Sequence, residues 1–573
     1  MTRFVGYNTG CHDGCISIYD SESDDLRVYL KERFTRKKYE GFHPVGSFLS
    51  LIPNEAQKEI NTLSDETKRS FTLFGRRDDF QQKLRVKMSL HQLGTKAKNT
   101  ILPELSTQAQ FYTHHKCHLY SVLARQPFKK SIIFVYDGFG SSLEDVQKYS
   151  KEELKELELP KVSYERKKYL FESISVYLHE GNELTCVHKE WININRPKNF
   201  EMGKELNKSP MSLFESSSVR IFNSVMESGK VMGLAAYGKK DESLAHERIV
   251  LDSYENQEKR SLNDISKEEF SHYSDIAKYT QDYFEKYLFE LIKKIKKKYS
   301  TFTCASLVGG GSLNCVFNAK LVDENIFNDV YTPAWSNDSG TAIGASFCDS
   351  VSNGEAKIRP VETDLINPFV GDEVKVNLEL LQSLFGSASI TTPENLEHTM
   401  ASLISKEEII AVFRGKSEVG PRALGNRSIL APAGKKEIIS YLNDQIKFRE
   451  KYRPYGIIML DRDLEDYFES GKRIKSPFMS FAPKVLKSKV DELRNILHAD
   501  NTLRLQTVNE SSNRFYSSLL EEVYRLTGDK MIINTSLNIK GQPILRTLEE
   551  CHEFFMSSKI KYFVINNFLV EKK

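Results

Sequence analysis

The sixteen residues from Gly415 to Leu430, GKSEVGPRALGNRSIL, hold the densest chemistry in the chain. Arg422 and Arg427 offer guanidinium forks, which grip planar or tetrahedral oxyanions through paired hydrogen bonds. The glycines allow close backbone approach to such a ligand. The pattern predicts a rigid loop, Gly420–Ser428, for an anionic, phosphorylated small substrate. The plain alternative is a tight surface turn with solvated arginines. Lys447-Phe448-Arg449, Arg453, Arg504 and Ser536-Leu537-Asn538 continue the theme. K-x-R read as a strand sends Lys447 and Arg449 to one face. There, two cations with the Ser536 hydroxyl and the Asn538 amide would hold a phosphate and a planar carbonyl. The competing reading is a salt-bridged surface.

His114 and His118 are four apart in a segment, 107–125, that reads as helix, so they share one face. Two imidazoles at that spacing can bind a metal, although such pairs also occur incidentally. His115 and Cys117 face elsewhere, and H-E-x-x-H is absent, which removes the general base of that protease mechanism. Asp137 and Asp338 each sit near a glycine where strand ends open into a ligand crevice. As isolated aspartates they would be ordinary turn residues. Two histidines with two carboxylates suit iron, manganese or zinc rather than magnesium. Gly229–Gly238, with Gly233 and Gly238, and Gly309–Asn314, with Gly310, Gly311 and Asn314, read as glycine-rich turns. Each could cradle a nucleotide through backbone N–H groups, or be purely structural. Neither is a P-loop.

The elements that must position these groups follow from the pattern. Strands are expected at 3–7, 15–19, 26–30, 131–136, 303–308 and 408–413, and the clearest helix at 274–299. The sequence Val5–Asp20 and the placing of Asp137 and Asp338 at strand ends hint at duplicated α/β halves. A chain of 573 residues needs two to four domains. Lys and Arg at 81 nearly cancel Asp and Glu at 78, and a net charge of +3 argues against nucleic-acid or membrane binding. The eight cysteines are scattered with no C-x-x-C, which suits reduced thiols in a cytoplasmic protein. Cys11 and Cys15 lack a second pair for zinc. No signal peptide or membrane span is expected.

The chain resembles the NodU/CmcH family of O-carbamoyltransferases. The matching segments are His12-Asp13, Glu32–Lys38, His114–His118, Gly229–Gly238, Gly309–Asn314, Gly420–Ser428, Lys447–Arg453, Ser476–Met479, Gln506–Val508 and Asn534–Asn538. Leu537 and Gln542 stand where the family usually has an aromatic residue and an acid. The resemblance implies an α/β protein. An actin/sugar-kinase-like (ASKHA, TsaD-like) domain would span 1–355, followed by a linker at 356–392 and a YrdC-like domain at 393–573. It implies His114, His118, Asp137 and Asp338 as ligands of a divalent metal, iron foremost, with manganese or zinc as alternatives. Lys447, Arg449, Arg504, Ser536 and Asn538 would form the carbamoyl-phosphate and adenylate site. Gly233, Gly238, Gly310, Gly311 and Asn314 would hold nucleotide, and His12, Lys38 and Arg422 the transfer site. ATP with Mg²⁺ and carbamoyl phosphate are the implied co-substrates, and a small-molecule hydroxyl compound the acceptor. A homodimer is allowed. Competing readings are a sugar-kinase-type phosphotransferase, a threonylcarbamoyl-adenosine tRNA-modifying enzyme and a non-enzymatic nucleotide-binding scaffold.

Overall fold

The structure is a computed structural model that describes residues 3–8, 12–40, 51–61, 67–73, 110–162, 167, 169–193, 209–241, 244, 249, 261–263 and 265–573. Cys11 and residues 107–109 lie outside these. The chain forms two compact units. The first comprises Met1–Ser212, Phe302–Leu313 and Tyr331–Val361; the second comprises Leu213–Thr301, Asn314–Val330 and Glu362–Lys573. Residues 213–301 and 314–330, expected in the first domain, therefore cluster with the second. The expected linker also contains structure. Asn377 caps helix Leu378–Phe385, whose Leu381 and Phe385 are fully buried in the second unit's core.

Two five-stranded sheets are formed from residues of the first unit, save Asp329 and Val330 of the last strand. One is built from β1 (Arg3–Asn8), β2 (Cys15–Asp20), β3 (Asp25–Leu30), β4 (Thr67–Leu73) and β5 (Gln110–Thr113), in the order β3-β2-β1-β4-β5. The other is built from β6 (Lys130–Tyr136), β7 (Leu170–Glu180), β8 (Glu183–Asn193), β9 (Cys304–Val308) and β10 (Asp329–Tyr331), in the order β10-β9-β6-β7-β8. Strand for strand the two orders are the same. β1 and β6 each pair antiparallel with the strand that follows and parallel with the next one added on the other side. The duplicated halves hinted at in the sequence are thus present in the topology, although Asp338 stands at a helix start and not at a strand end. The Ile132–Tyr136 run is wholly buried, as expected for a strand covered on both faces.

Helices His114–Leu123 and Ser339–Ser352 cross at contact distance. A Cβ on Gly344 would stand 1.7 Å from the Cys117 carbonyl oxygen, and one on Gly6 would stand 2.0 Å from the Ala342 oxygen. Ser17 Oγ donates to the same Ala342 carbonyl at 2.7 Å, and the buried Trp335 indole donates to Ser121 O at 3.0 Å. The segment expected to be helical from 107 to 125 splits, because Gln110–Thr113 pairs with β4 before the helix begins.

The second unit holds an eight-stranded sheet. Its strands are β11 (Ser389–Thr391), β12 (Ile410–Phe413), β13 (Arg427–Pro432), β14 (Gly456–Leu460), β15 (Arg504–Val508), β16 (Met531–Ser536), β17 (Tyr562–Ile565) and β18 (Phe568–Glu571). Their order is β11-β18-β17-β12-β13-β16-β14-β15. Apolar clusters form from alternate strand residues, Ile457 and Ile533 in one, Ile458 and Ile532 in the other, as a sheet with two buried faces requires. The long helix starts earlier than its apolar stripe indicates, at Lys267, because Ser266 and Glu269 form a reciprocal capping box. Gly229–Gly238 is mostly helix, Ser228–Ala235, and not a turn. No helix of the described residues is long and apolar enough to cross a membrane.

Gly344→Ala should lower stability by about 3 kcal/mol through overpacking at the helix crossing. Gly229→Ala, with nothing within 4 Å of its Cβ position, should leave stability unchanged or slightly raised. Denaturant unfolding of the two variants checks the contrast.

Candidate functional site: a buried His-Asp cluster and a cationic loop

His114 opens its helix, and its backbone N–H, an orphan donor of the helix start, is taken by Ser141 Oγ at 2.8 Å. His118 follows one turn later. Asp137 directly follows β6. Its N–H donates to Ser173 O at 3.1 Å, its Oδ1 accepts the Gly310 N–H at 2.9 Å, and its Oδ2 lies 3.0 Å from His114 Nε2. Asp338 precedes helix Ser339–Ser352 and stands 3.5 Å from His114 Nε2 and 3.4 Å from His118 Nε2. The two Nε2 atoms are 3.1 Å apart. Four donors of His114, His118, Asp137 and Asp338 lie within 4.8 Å of one another, all buried. Ligands about 2.1 Å from one ion stand roughly 3.0–3.5 Å apart, so the donor set fits a divalent metal. His12 sits at the edge, with Nε2 3.6 Å from Asp338 Oδ2 and Nδ1 3.1 Å from Asp13 Oδ2. Asn8, which the sequence reading did not single out, ties this turn down. Its Nδ2 donates to Asp13 O at 2.9 Å and to Asp338 O at 3.0 Å.

The second unit assembles cations. Lys447 Nζ donates to Ser536 O at 2.6 Å and to the Asn538 carbonyl and side-chain oxygens at 2.8 and 2.6 Å. K-x-R is not a strand, however. Leu442–Lys447 is a π-helical turn and Phe448 has φ 47°, so a left-handed residue turns Arg449 inward. Arg449 stacks on Tyr455 at 3.6 Å and donates to Asn443 Oδ1 at 3.1 Å. Arg504 heads β15 and has no acceptor among the described residues. Burial, then Arg422, Arg449 and Arg453 nearby, holds its pKa below the usual guanidinium range, at about 9.

The two arginines of the Gly-Pro-Arg loop do different things, which corrects the expectation of two substrate-gripping forks. Arg427 is buried, stacks on Phe413 at 3.6 Å and gives its N–H groups to the carbonyls of Arg414, Gly415 and Asn426. Protein carbonyls saturate it, so it is a clasp for the loop. Only Arg422 joins the cations around Arg504. Glu418, fully buried, accepts the Leu424 and Arg427 N–H groups at 2.8 and 3.2 Å and shapes the loop from inside.

The remaining predicted residues have local roles. Lys38 is exposed, over the Tyr39 ring. Gly310 serves Asp137, and Gly311 packs against Tyr136. Asn314 caps helix Cys315–Asp323 and pairs with Gln281. Gly238 admits the Ser274 backbone, and Gly233 lies within its helix near Pro454. Leu537 fills an apolar slot in the core, and Gln542 meets Asn538 through its backbone carbonyl, so neither departure disturbs the Ser536–Asn538 turn.

Residues 56–347 match the family described as "Carbamoyltransferase N-terminus" and residues 401–572 match "Carbamoyltransferase C-terminus". The chain belongs to the carbamoyltransferase family. The carbamoyltransferase is 28% identical to nodulation protein NolO of Bradyrhizobium diazoefficiens over 478 residues, 80% of this chain and 79% of NolO. Nodulation protein U of Sinorhizobium fredii is 32% identical over 236 residues, 41% of this chain and 40% of the relative. An uncharacterized protein of Methanocaldococcus jannaschii is 26% identical over the full length of both. The chain is thus a transferase enzyme, and its activity is carbamoyl transfer.

Electrostatics describe the carbamoyltransferase cluster without an ion. Burial opposes charging His114, but Asp338 and Asp137 outweigh it and raise the imidazole to about 10. Burial and Asp338 push Asp137 up, yet His114 and His118 keep it below the ordinary carboxylate range. Asp338, desolvated but beside His114 and His12, is held lower still. At neutral pH the cluster therefore carries a proton on His114 that an entering ion must displace. From pH 8 to pH 6, one displaced proton predicts about a hundredfold loss of apparent metal affinity. Titration of chelator-treated protein across that window checks it; a pH-independent affinity would show that no such proton is displaced.

Proposed function

We propose that this carbamoyltransferase is ATP-dependent, forms carbamoyl-adenylate from carbamoyl phosphate and ATP, and passes the carbamoyl group to a hydroxyl of a small-molecule natural product. The observation that carries the reading is Arg504, a cation set among Arg422, Arg449 and Arg453 with no acceptor among the described residues. Such a group calls for a multiply charged anion. The reading takes the first unit as actin/sugar-kinase-like, which the repeated sheet order supports, and the second as YrdC-like. Lys447, already seated on Ser536 and Asn538, rigidifies the site beside Arg449.

In the second unit these cations bind carbamoyl phosphate. Water takes the place of phosphate on the carbamoyl carbon, releasing phosphate and leaving carbamate, which survives only where bulk water is excluded. A carbamate oxygen attacks the α-phosphorus of ATP, carried with Mg²⁺, and pyrophosphate leaves. Arg422, Arg449 and Arg504 meet the charge that builds in the transition state. The acceptor oxygen then attacks the carbamoyl carbon, and AMP leaves.

In the first unit, His114, His118, Asp137 and Asp338 would hold the divalent ion, iron foremost. When bound, it supplies positive charge to polarise the acceptor or orient AMP. His12 is the proposed base. The Asp13 carboxylate on Nδ1 favours the tautomer with a bare Nε2, which can take the hydroxyl proton.

Incubation with ATP, carbamoyl phosphate and Mg²⁺ should yield AMP and pyrophosphate; ADP with no AMP would overturn the reading. Arg504→Ala should reduce pyrophosphate release by roughly 10- to 100-fold, the worth of hydrogen bonds to a charged group. His12→Asn should leave pyrophosphate release intact and slow transfer by about 100-fold or more. Half-reaction assays separate the two effects.

A further inference from the structure

Lys189 is a buried ammonium, its side chain 1% exposed, beneath the β7–β8 hairpin. It contacts Glu172 Oε1 at 2.5 Å and Glu153 Oε2 at 2.9 Å, and donates to Ser175 Oγ at 3.0 Å and Tyr177 Oη at 3.2 Å. Burying three charges costs several kcal/mol per ion unless every partner is engaged.

The contacts beyond Lys189 lead to the metal cluster. Glu172 is fully buried, and its second oxygen accepts the Ser141 N–H at 3.0 Å. Ser141 Oγ in turn accepts the His114 N–H at 2.8 Å. The backbone repeats the link, with Glu172 N donating to Ser141 O at 3.0 Å and Asp137 N to Ser173 O at 3.1 Å. A second branch runs from Ser175 Oγ to His115 Nδ1 at 2.7 Å. Ser175 Oγ thus stands between the ammonium and the imidazole. Gly140 leaves no slack, since a Cβ there would stand 2.7 Å from both Glu172 Cβ and the His115 ring.

We propose that Lys189 and Glu172 are positioning residues for the metal cluster, acting through Ser141 on His114 and through Ser175 on His115. This rests on the reading of His114, His118, Asp137 and Asp338 as metal ligands. The ammonium fixes the Glu172 carboxylate, the carboxylate fixes the 137–141 loop, and the loop fixes both Asp137 and the start of the ligand helix. Groups that orient metal ligands typically govern affinity by roughly 10- to 100-fold.

The test is titration of the chelator-treated full chain with Co²⁺ alone, read by its visible absorption, alongside thermal unfolding. Ser141→Ala removes one small oxygen. It should weaken Co²⁺ binding at least tenfold with little change in unfolding temperature. Glu172→Gln should weaken it similarly and alter the absorption band. Tyr177→Phe, which removes only the hydroxyl between Lys189 and Glu153, should lower the unfolding temperature and leave Co²⁺ affinity within about twofold. Unchanged affinity in Ser141→Ala and Glu172→Gln, with His118→Ala abolishing binding, would overturn the positioning role alone. If His118→Ala binds Co²⁺ as the parent does, the metal reading itself fails.

Discussion

Two buried carboxylates, Asp137 and Asp338, are 7% and 3% exposed and lie within 3.5 Å of one imidazole nitrogen. Like charges brought together out of water repel, and each has already lost its hydration. The first unit exists in its observed form because other elements hold that arrangement in place. Gly344 and Gly6 let helix Ser339–Ser352 come close enough to deliver Asp338. The Gly310 N–H and Ser173 carbonyl fix Asp137. Ser141 pins the helix start that carries His114. A cation is the natural counter-charge, and without one a proton on His114 does the same work.

The second unit poses the mirror problem. Arg422, Arg449, Arg453 and Arg504 crowd one place, and carboxylates do not neutralise Arg504. Local devices keep these cations ordered: the Tyr455 ring and Asn443 amide under Arg449, Lys230 on Glu450 behind Arg453, and Glu418 inside the Gly-Pro-Arg loop. An acidic site and a basic site on one chain suit a reaction in two stages. In the proposed reaction one stage would activate a phosphorylated one-carbon unit, and the other would deliver it to an alcohol.

Much of the acidic site was legible because its signals are local. A spacing of four within a helix places His114 and His118 on one face whatever the tertiary fold. Asp137 follows the apolar strand β6 as its sequence suggests, whereas Asp338 stands at a helix start, past the end of β10 at Tyr331. The repeated sheet order, by contrast, could only be hinted at, since it depends on pairings between distant strands. Lys189, Glu172 and Ser141 were invisible for the same reason: a buried ion pair looks like any surface lysine and glutamate in sequence. Arg427 and Arg422 are five residues apart with the same side chain, and only the carbonyl cage around Arg427 separates clasp from candidate ligand. Strand geometry failed for Lys447-Phe448-Arg449 because a π-turn and a left-handed Phe448 achieve the same convergence by another route. Gly229–Gly238 misled because Gly229 and Gly233 sit uncrowded inside a helix, and only Gly238, past its end, admits a neighbouring backbone.

The decisive question is whether one ion shares the four donors of the first unit. Anomalous diffraction from crystals of the full chain grown with Mn²⁺ would answer this. A shared ion gives a single anomalous peak bonded to the Nε2 atoms of His114 and His118 and to oxygens of Asp137 and Asp338. A peak located elsewhere, or none between these four side chains, would contradict it.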